Sequence, residues 1–246
     1  MSGHSKWSTI KRKKGAEDAK RGKIFTRLAR DISLAARVSG DPDSNASLRM
    51  AIDKARASNM PKDNIDRAIK RGSGELAGGQ LEEVTYEGYA PHGVALLVKC
   101  LTDNRNRTLA DVRKVFNRGN GSLAEAGAVT WMFEPLGLIT LERKDMDPDE
   151  VFLMAVEAGA EDIEVSEDFV EIYTQPGDLH VVSTTLEEQG LEIDEVDLSM
   201  VSKNLISLEE KDTLQVLHMI EGLDELDDVD QVYSNLDIPE EILASV

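Results

Sequence analysis

Basic and acidic side chains are sorted along this chain rather than mixed, and that sorting limits the architectures open to it. Residues 1–80 hold 18 Lys+Arg against 9 Asp+Glu, and residues 1–30 alone hold 10 against 2. Residues 81–134 are near neutral, with 6 basic and 7 acidic side chains, whereas residues 135–246 carry 4 basic and 31 acidic ones. A cationic block and a polyanionic block on one chain point to separate folded bodies with separate surface chemistry. The formal net charge of −19 does not argue against a polyanionic partner. Salt screens exposed charges over about 8 Å, so a basic face keeps its local field beside more distant acidic domains.

A chain of 246 residues accommodates one to three domains. No apolar run reaches the roughly 18 residues of a membrane helix, and the basic N-terminus lacks the apolar stretch of a signal peptide. The expectation is a cytoplasmic protein with no membrane partner. Cys100 is the single cysteine, which excludes an intrachain disulfide and the usual multi-thiolate zinc sites.

Residues 1–15 form a basic arm, with Lys11, Arg12, Lys13 and Lys14 consecutive and no apolar periodicity. From Ala16 to Arg37 the helical spacing of Ile24, Leu28 and Ile32 predicts an amphipathic helix with Lys20, Lys23, Arg27, Arg30 and Arg37 on its outer face. Two shorter helices follow, marked by Leu48, Ile52 and Ala55 and by Ile65, Ala68 and Ile69, the second with Gly72 as a left-handed stop. The glycine-rich stretch 72–79 reads as a linker. Beyond it the pattern predicts strands Val84–Tyr89 and Val94–Leu101, a helix capped by Thr108, and a third strand Ala128–Phe133. Residues 137–201 repeat a βαββαβ order, and a helix Leu208–Leu223 and a strand Val229–Leu236 follow. The expected fold is therefore α+β with three domains. A basic arm and three-helix domain occupy residues 1–80, a middle α/β domain takes 81–134 with 205–246, and an acidic α/β domain, 135–204, is inserted in it. Both α/β domains are expected to be of ferredoxin-like type.

No phosphate loop, His-Glu-x-x-His, nucleophile elbow or calcium loop is present, and the four histidines have no ligand spacing with Cys100. No enzyme activity, cofactor or metal is expected on that ground. Cys100 alternates with Val98 and Leu96 and reads as a buried structural thiol, and the run Asp224–Asp228 as a solvated acidic face. The arm and the cationic stripe suit phosphates, with Trp7 placed where it can stack on a base. The segment 102–108, TDNRNRT, places Arg105 and Arg107 at a helix start, where they can contact phosphate or base edges or simply make structural hydrogen bonds.

Five blocks carry a resemblance: Gly3-His4-Ser5-Lys6-Trp7, Asp18-x-x-Arg21-Gly22-Lys23-x-Phe25, Asn59-Met60-Pro61-Lys62-Asp63-Asn64-Ile65, Tyr86-Glu87-Gly88-Tyr89 and Leu101-Thr102-Asp103-Asn104-x-Asn106-Arg107-Thr108. In this order along the full chain they resemble the YebC/PmpR family. The resemblance implies a helical N-terminal domain, two α/β domains and a DNA-binding transcriptional regulator. Mitochondrial and some bacterial relatives imply instead a ribosome-associated translation factor that binds rRNA and relieves stalling at proline-rich stretches. Carried over, Lys6, Trp7, Lys11, Arg12, Lys13, Lys14, Lys20, Arg21 and Lys23 form the nucleic-acid face, to which Arg27 and Arg30 of the stripe are added. Arg105 and Arg107 form a second contact, and the acidic domains are left to meet ribosomal or polymerase proteins. The sequence departs from the family's pattern at Tyr89-Ala90-Pro91-His92-Gly93, where a glycine-richer turn is more usual, and at Asn120 with Ala124, where glycine is more usual.

Overall fold

The computed structural model describes residues 17–75, 81–144, 146–166, 169–239 and 242, with side chains from residue 24 onward. The N-terminal domain holds α1 (Glu17–Ala35), α2 (Ala46–Ala57) and α3 (Lys62–Gly72). Leu28 and Ile32 on one face of α1, and Ala36 just past its end, recur every four residues and are buried against Leu48, Ile52, Ala55, Ile65 and Ala68. Asn45 begins α2. Its side chain accepts from the Leu48 N–H at 3.1 Å and donates at 2.8 Å to the carbonyls of Ala35 and Ser39, tying the end of α1 to the start of α2. The predicted left-handed stop at Gly72 is corrected: the positive φ of 84° belongs to Gly74. Gly72 is needed for contact, because a Cβ there would lie 2.1 Å from the Ser33 carbonyl oxygen on α1.

The middle sheet is built from β1 (Glu82–Tyr89), β2 (Ala95–Thr102) and β3 (Ser122–Ala124), with the helix α4 (Arg105–Arg118) between β2 and β3. Its fourth strand comes from the far end of the chain. The order is β3-β1-β2-β9, where β9 is Val229–Ser234 and follows the helix α7 (Glu210–Asp224). On one face, Leu96, Val98 and Cys100 pack with Val112 and Phe116 of α4 and Val216, Ile220 and Leu223 of α7. On the other, Ala95 and Leu97 meet Val129, Phe133 and Tyr233. Apolar cover on both faces explains why β2 reads as an unbroken apolar run apart from Lys99.

The predicted third strand at 128–133 does not form. The carboxylate of the buried Glu87 accepts from the backbone N–H groups of Gly127, Val129 and Thr130 at 2.7, 2.7 and 2.9 Å, so those donors are withdrawn from any ladder. The strand role falls to β3. Likewise α4 is capped by Asn104, whose side chain accepts from Arg107 N–H at 3.1 Å, rather than by Thr108. His92 and Asn120, the departures noted above, both adopt left-handed backbone, φ 64° and 58°.

The second sheet contains β4 (Phe133–Glu142), β5 (Asp162–Val165), β6 (Phe169–Thr174) and β7 (Glu195–Ser202), with α5 (Pro148–Ala158) and α6 (Leu179–Glu188) against it. Its antiparallel order, β5-β6-β4-β7, is the ferredoxin-like βαββαβ arrangement. The middle sheet fills the same four positions, but its connectivity differs from the expected βαββαβ: the strand that the second sheet makes third comes first there, as β1. The strand predicted to reach Leu236 stops at Ser234. Asn235 turns out of the ladder, accepting through Oδ1 from Ala95 N–H at 2.7 Å and through its carbonyl from Ile206 N–H. Leu236–Asp237 (β10) then pairs in parallel with Ile206–Ser207 (β8).

Candidate nucleic-acid interface

Asp228 lies just before β9, almost fully buried, and collects donors from three parts of the chain. Its Oδ2 accepts from Arg107 Nη2 at 2.7 Å and Nε at 3.2 Å, from Thr108 Oγ1 at 2.8 Å and from Thr102 Oγ1 at 3.2 Å. Its Oδ1 accepts from Arg30 Nη2 on α1 at 2.8 Å. Burial alone would raise this carboxyl, but the hydrogen bonds from Arg107 and Thr108 and the charge of Arg30 outweigh it and hold the group below the usual carboxylate range. The same stretch supplies backbone acceptors: Arg30 Nη1 donates to the Asp227 carbonyl, and Arg27 Nη2 to the Asp224 carbonyl at 2.8 Å. Arg37 Nη1 donates to the Leu81 carbonyl at 3.0 Å.

These contacts correct two sequence expectations. Arg27 and Arg30 do not form an outer stripe facing solvent. They join α1 to the middle domain, because the carbonyls at the C-terminal end of α7 and the carboxylate of Asp228 satisfy guanidinium donors there, while Arg37, just past the end of α1, stays exposed as it donates to Leu81. Nor is the run Asp224–Asp228 wholly a solvated face, since its last residue is the hub of this junction. The sequence signal for Asp228 was weak: it ends an acidic run and has no motif around it.

The second predicted contact is also engaged. Arg107 is half exposed but holds Asp228 and, at 3.0 Å, Asp103; Arg105 Nε lies 2.8 Å from Glu82 Oε2. The hydrogen bonds observed around 102–108 are the structural ones. Lys20, Arg21 and Lys23 lie on the backbone of α1, with their side chains outside the described part, while Lys6, Trp7, Lys11, Arg12, Lys13 and Lys14 fall outside the described residues altogether.

A second junction brings the inserted domain to α1 and α2. Lys54 Nζ lies 3.1 Å from Asp197 Oδ2 and 3.6 Å from Glu195 Oε1, and Gln231 Nε2 donates to Asp197 at 3.0 Å. Asp31 faces the same place. Burial and the neighbouring Asp230 push its carboxyl up to about 7, with Asp197 adding to the rise and Lys54 and Lys99 opposing it. Burial also raises Asp230. Burial acts to lower the Lys54 ammonium, but Asp197 and Glu195 prevail and raise it.

Chemistry elsewhere is sparse. Cys100 is fully buried, and desolvation with the nearby Asp228 pushes its thiol up to about 12, the opposite of what a nucleophile needs. Among the described residues no group of three or more His, Cys, Asp or Glu side chains could hold a metal ion. Among them also, no helix is long and apolar enough to cross a membrane.

The model of the TACO1/YebC N-terminal domain matches residues 5–75, and that of the second and third domain matches residues 81–236. The chain belongs to the TACO1/YebC family. Among its relatives, a probable transcriptional regulatory protein of Dehalococcoides mccartyi is 52% identical over 244 residues, covering 99% of this chain and 97% of that protein. One of Geobacter sulfurreducens, with the same description, is 50% identical, covering 98% of each. A crystal structure of a conserved hypothetical protein from Aquifex aeolicus superposes with a TM-score of 0.85 at 44% identity, covering 92% of this chain and 94% of that one. The TACO1/YebC relationship thus spans the helical domain and both sheets.

Proposed function

We propose that this protein is a non-enzymatic regulator of gene expression that binds nucleic acid through its basic N-terminal domain, as a DNA-binding transcriptional regulator. The observation that carries this reading is the charge sorting: +8 within residues 1–30 of a chain whose net charge is −19. The structure adds a mechanical argument. Arg27 and Arg30, with Arg37 just past the end of α1, clamp this helix to the middle domain, so residues 20–23, earlier on the same helix, are presented from a fixed base. Lysine and arginine contacts to phosphates supply affinity by counterion release without reading sequence. The names of the relatives, probable transcriptional regulatory protein, point to DNA as the target.

A specific observation favours a second reading, a ribosome-associated translation factor that binds rRNA. Helices α2 and α3 each pack on α1 and barely touch each other, unlike the paired helices of a helix-turn-helix. The exposed residues of α3 mix Asp63 and Asp66 with Lys62, Arg67 and Lys70, a poor surface for reading base edges between phosphates. Recognition by shape and phosphate, which folded RNA permits, needs no such helix. Crosslinking in living cells, with sequencing of the bound RNA and DNA, tests both. Promoter DNA lost from a Lys11–Lys14→Ala variant supports the first reading, and ribosomal RNA lost from it supports the second. Nucleic acid recovered equally from wild type and variant refutes the role of the arm.

A further inference from the structure

The chain holds 47 acidic and 28 basic residues, so an exposed cation here has carboxylates in abundance to pair with. Of the ten Lys and Arg residues in the middle and inserted domains, four do: Arg105 holds Glu82, Arg107 holds Asp103 and Asp228, Lys144 holds Glu192, and Lys203 holds Glu134. Arg113, Lys114 and Arg118 are exposed on α4 and make no ion pair among the described residues. At 100° per residue, Asn106, Arg113 and Asn117 fall within about 40° of one another, and Lys114 and Arg118 follow on one side, about 60° and 100° beyond Asn117. The outward side of α4 thus carries three cations with no ion pair among the described residues and two amides, a donor-rich surface beside the acidic inserted domain.

We infer that this face of α4 is a second phosphodiester-binding surface, formed by Arg113, Lys114 and Arg118 with Asn106 and Asn117 as hydrogen-bonding neighbours. It takes the place of the contact expected at Arg105 and Arg107, whose guanidiniums are committed within the protein. Arg107 at the start of α4 and Arg30 on α1 share the carboxylate of Asp228. The surface is therefore held in fixed relation to the helix that carries residues 20–23, and one nucleic acid can engage both. The inference rests on the nucleic-acid reading above and adds a site to it.

The test uses the full chain and two fluorescein-labelled probes, a DNA duplex and an RNA hairpin, titrated by anisotropy at several salt concentrations. If each cation neutralises one phosphate of the duplex, Arg113→Ala/Lys114→Ala/Arg118→Ala lowers the slope of log K against log salt by about 2–3 and weakens binding roughly a hundredfold at about 0.15 M salt. The smaller charge density of an unpaired strand reduces both effects. The swap Arg113→Lys/Lys114→Arg/Arg118→Lys should retain the wild-type slope. Lys144→Ala/Lys203→Ala/Lys211→Ala, which changes the net charge equally elsewhere, should leave it within experimental scatter. An unchanged slope and affinity in the alanine triple variant, beside a Lys11–Lys14→Ala variant that does lose binding, overturns the α4 surface alone. Wild-type protein that binds neither probe overturns the nucleic-acid reading and this surface with it.

Discussion

Replacing Asp228 by Ala tests whether a single carboxylate holds the helical domain to the middle domain. The substitution removes the acceptor of Arg30 and Arg107 and of two buried hydroxyls, Thr102 and Thr108. Removing one partner of a buried pair costs about 3–5 kcal/mol when the other charge is trapped. Here the side chains of Arg30 and Arg107 are 19% and 49% exposed, so water can take up part of the loss, and Thr108 keeps the Asn104 carbonyl as an acceptor at 3.1 Å. The expected loss is therefore nearer the lower bound, about 3 kcal/mol. Urea unfolding at pH 7 measures it, and hydrogen exchange locates it: amides of α1 should lose protection together with the start of α4. Asp228→Asn, which keeps the shape but not the charge, should lose less. Because the carboxyl lies below its usual range, its contribution is present above about pH 4 and disappears as acid protonates it, so wild type and variant should converge in stability below that. A loss under about 1 kcal/mol, or exchange changes confined to β9, would refute the hub.

Three further outcomes follow from the packing. Asp31, raised to about 7, holds its proton more tightly folded than unfolded, so its stabilising contribution is complete below about pH 4 and is lost as pH climbs through 7; Asp31→Asn should gain stability over wild type between pH 5 and 8, by at most about 4 kcal/mol, and a constant difference across that range in thermal melts counts against the shift. Gly72→Ala should gain about 1 kcal/mol from helix propensity alone, yet the 2.1 Å approach to the Ser33 carbonyl predicts a net loss of about 2 kcal/mol in chemical denaturation, and a stabilised variant would show that α1 and α3 separate freely. Cys100 should resist alkylation by iodoacetamide at pH 8 in the native protein and react at the rate of global unfolding, since its thiol is buried and raised to about 12; rapid native labelling would contradict that burial.

What the sequence made legible, and what it did not, divides by the range of the interaction. Periodicity located α1 and the strands of the second sheet, because Leu28 and Ile32, or Ile139 and Leu141, report their own burial through spacing alone. It misplaced a strand at 128–133 because the deciding contact, Glu87 to three backbone N–H groups, spans about forty residues and leaves Ala-Val-Thr-Trp-Met-Phe looking like any strand. The outward reading of Arg27 and Arg30 failed for the same reason at greater distance. Arg27 and Arg30 have the helical phase of solvent-facing residues with respect to the core of their own domain, and only the docking of α7, nearly 200 residues later, turns that face inward.

That failure bears on how such a chain divides labour among its cations. An arginine can bind a phosphate only if the protein leaves its donors unspent, and this chain has ample carboxylates with which to spend them. Helix α4 makes the distinction within fourteen residues: Arg107, at the end that meets α1, is drawn into Asp228, while Arg113, Lys114 and Arg118 continue along the exposed side without an ion pair among the described residues. An acid-rich chain that served only to fold would gain by offering those three an i,i+4 carboxylate, a substitution worth about 0.3–0.5 kcal/mol each. Asp111, the one acidic residue on α4, has no ion pair to Lys114 three residues on. The unspent cations on α4 and the spent ones on α1 thus argue in the same direction: charge on this protein is assigned by position, with fixed pairs building the junction and free cations kept where a second polyanion can reach them.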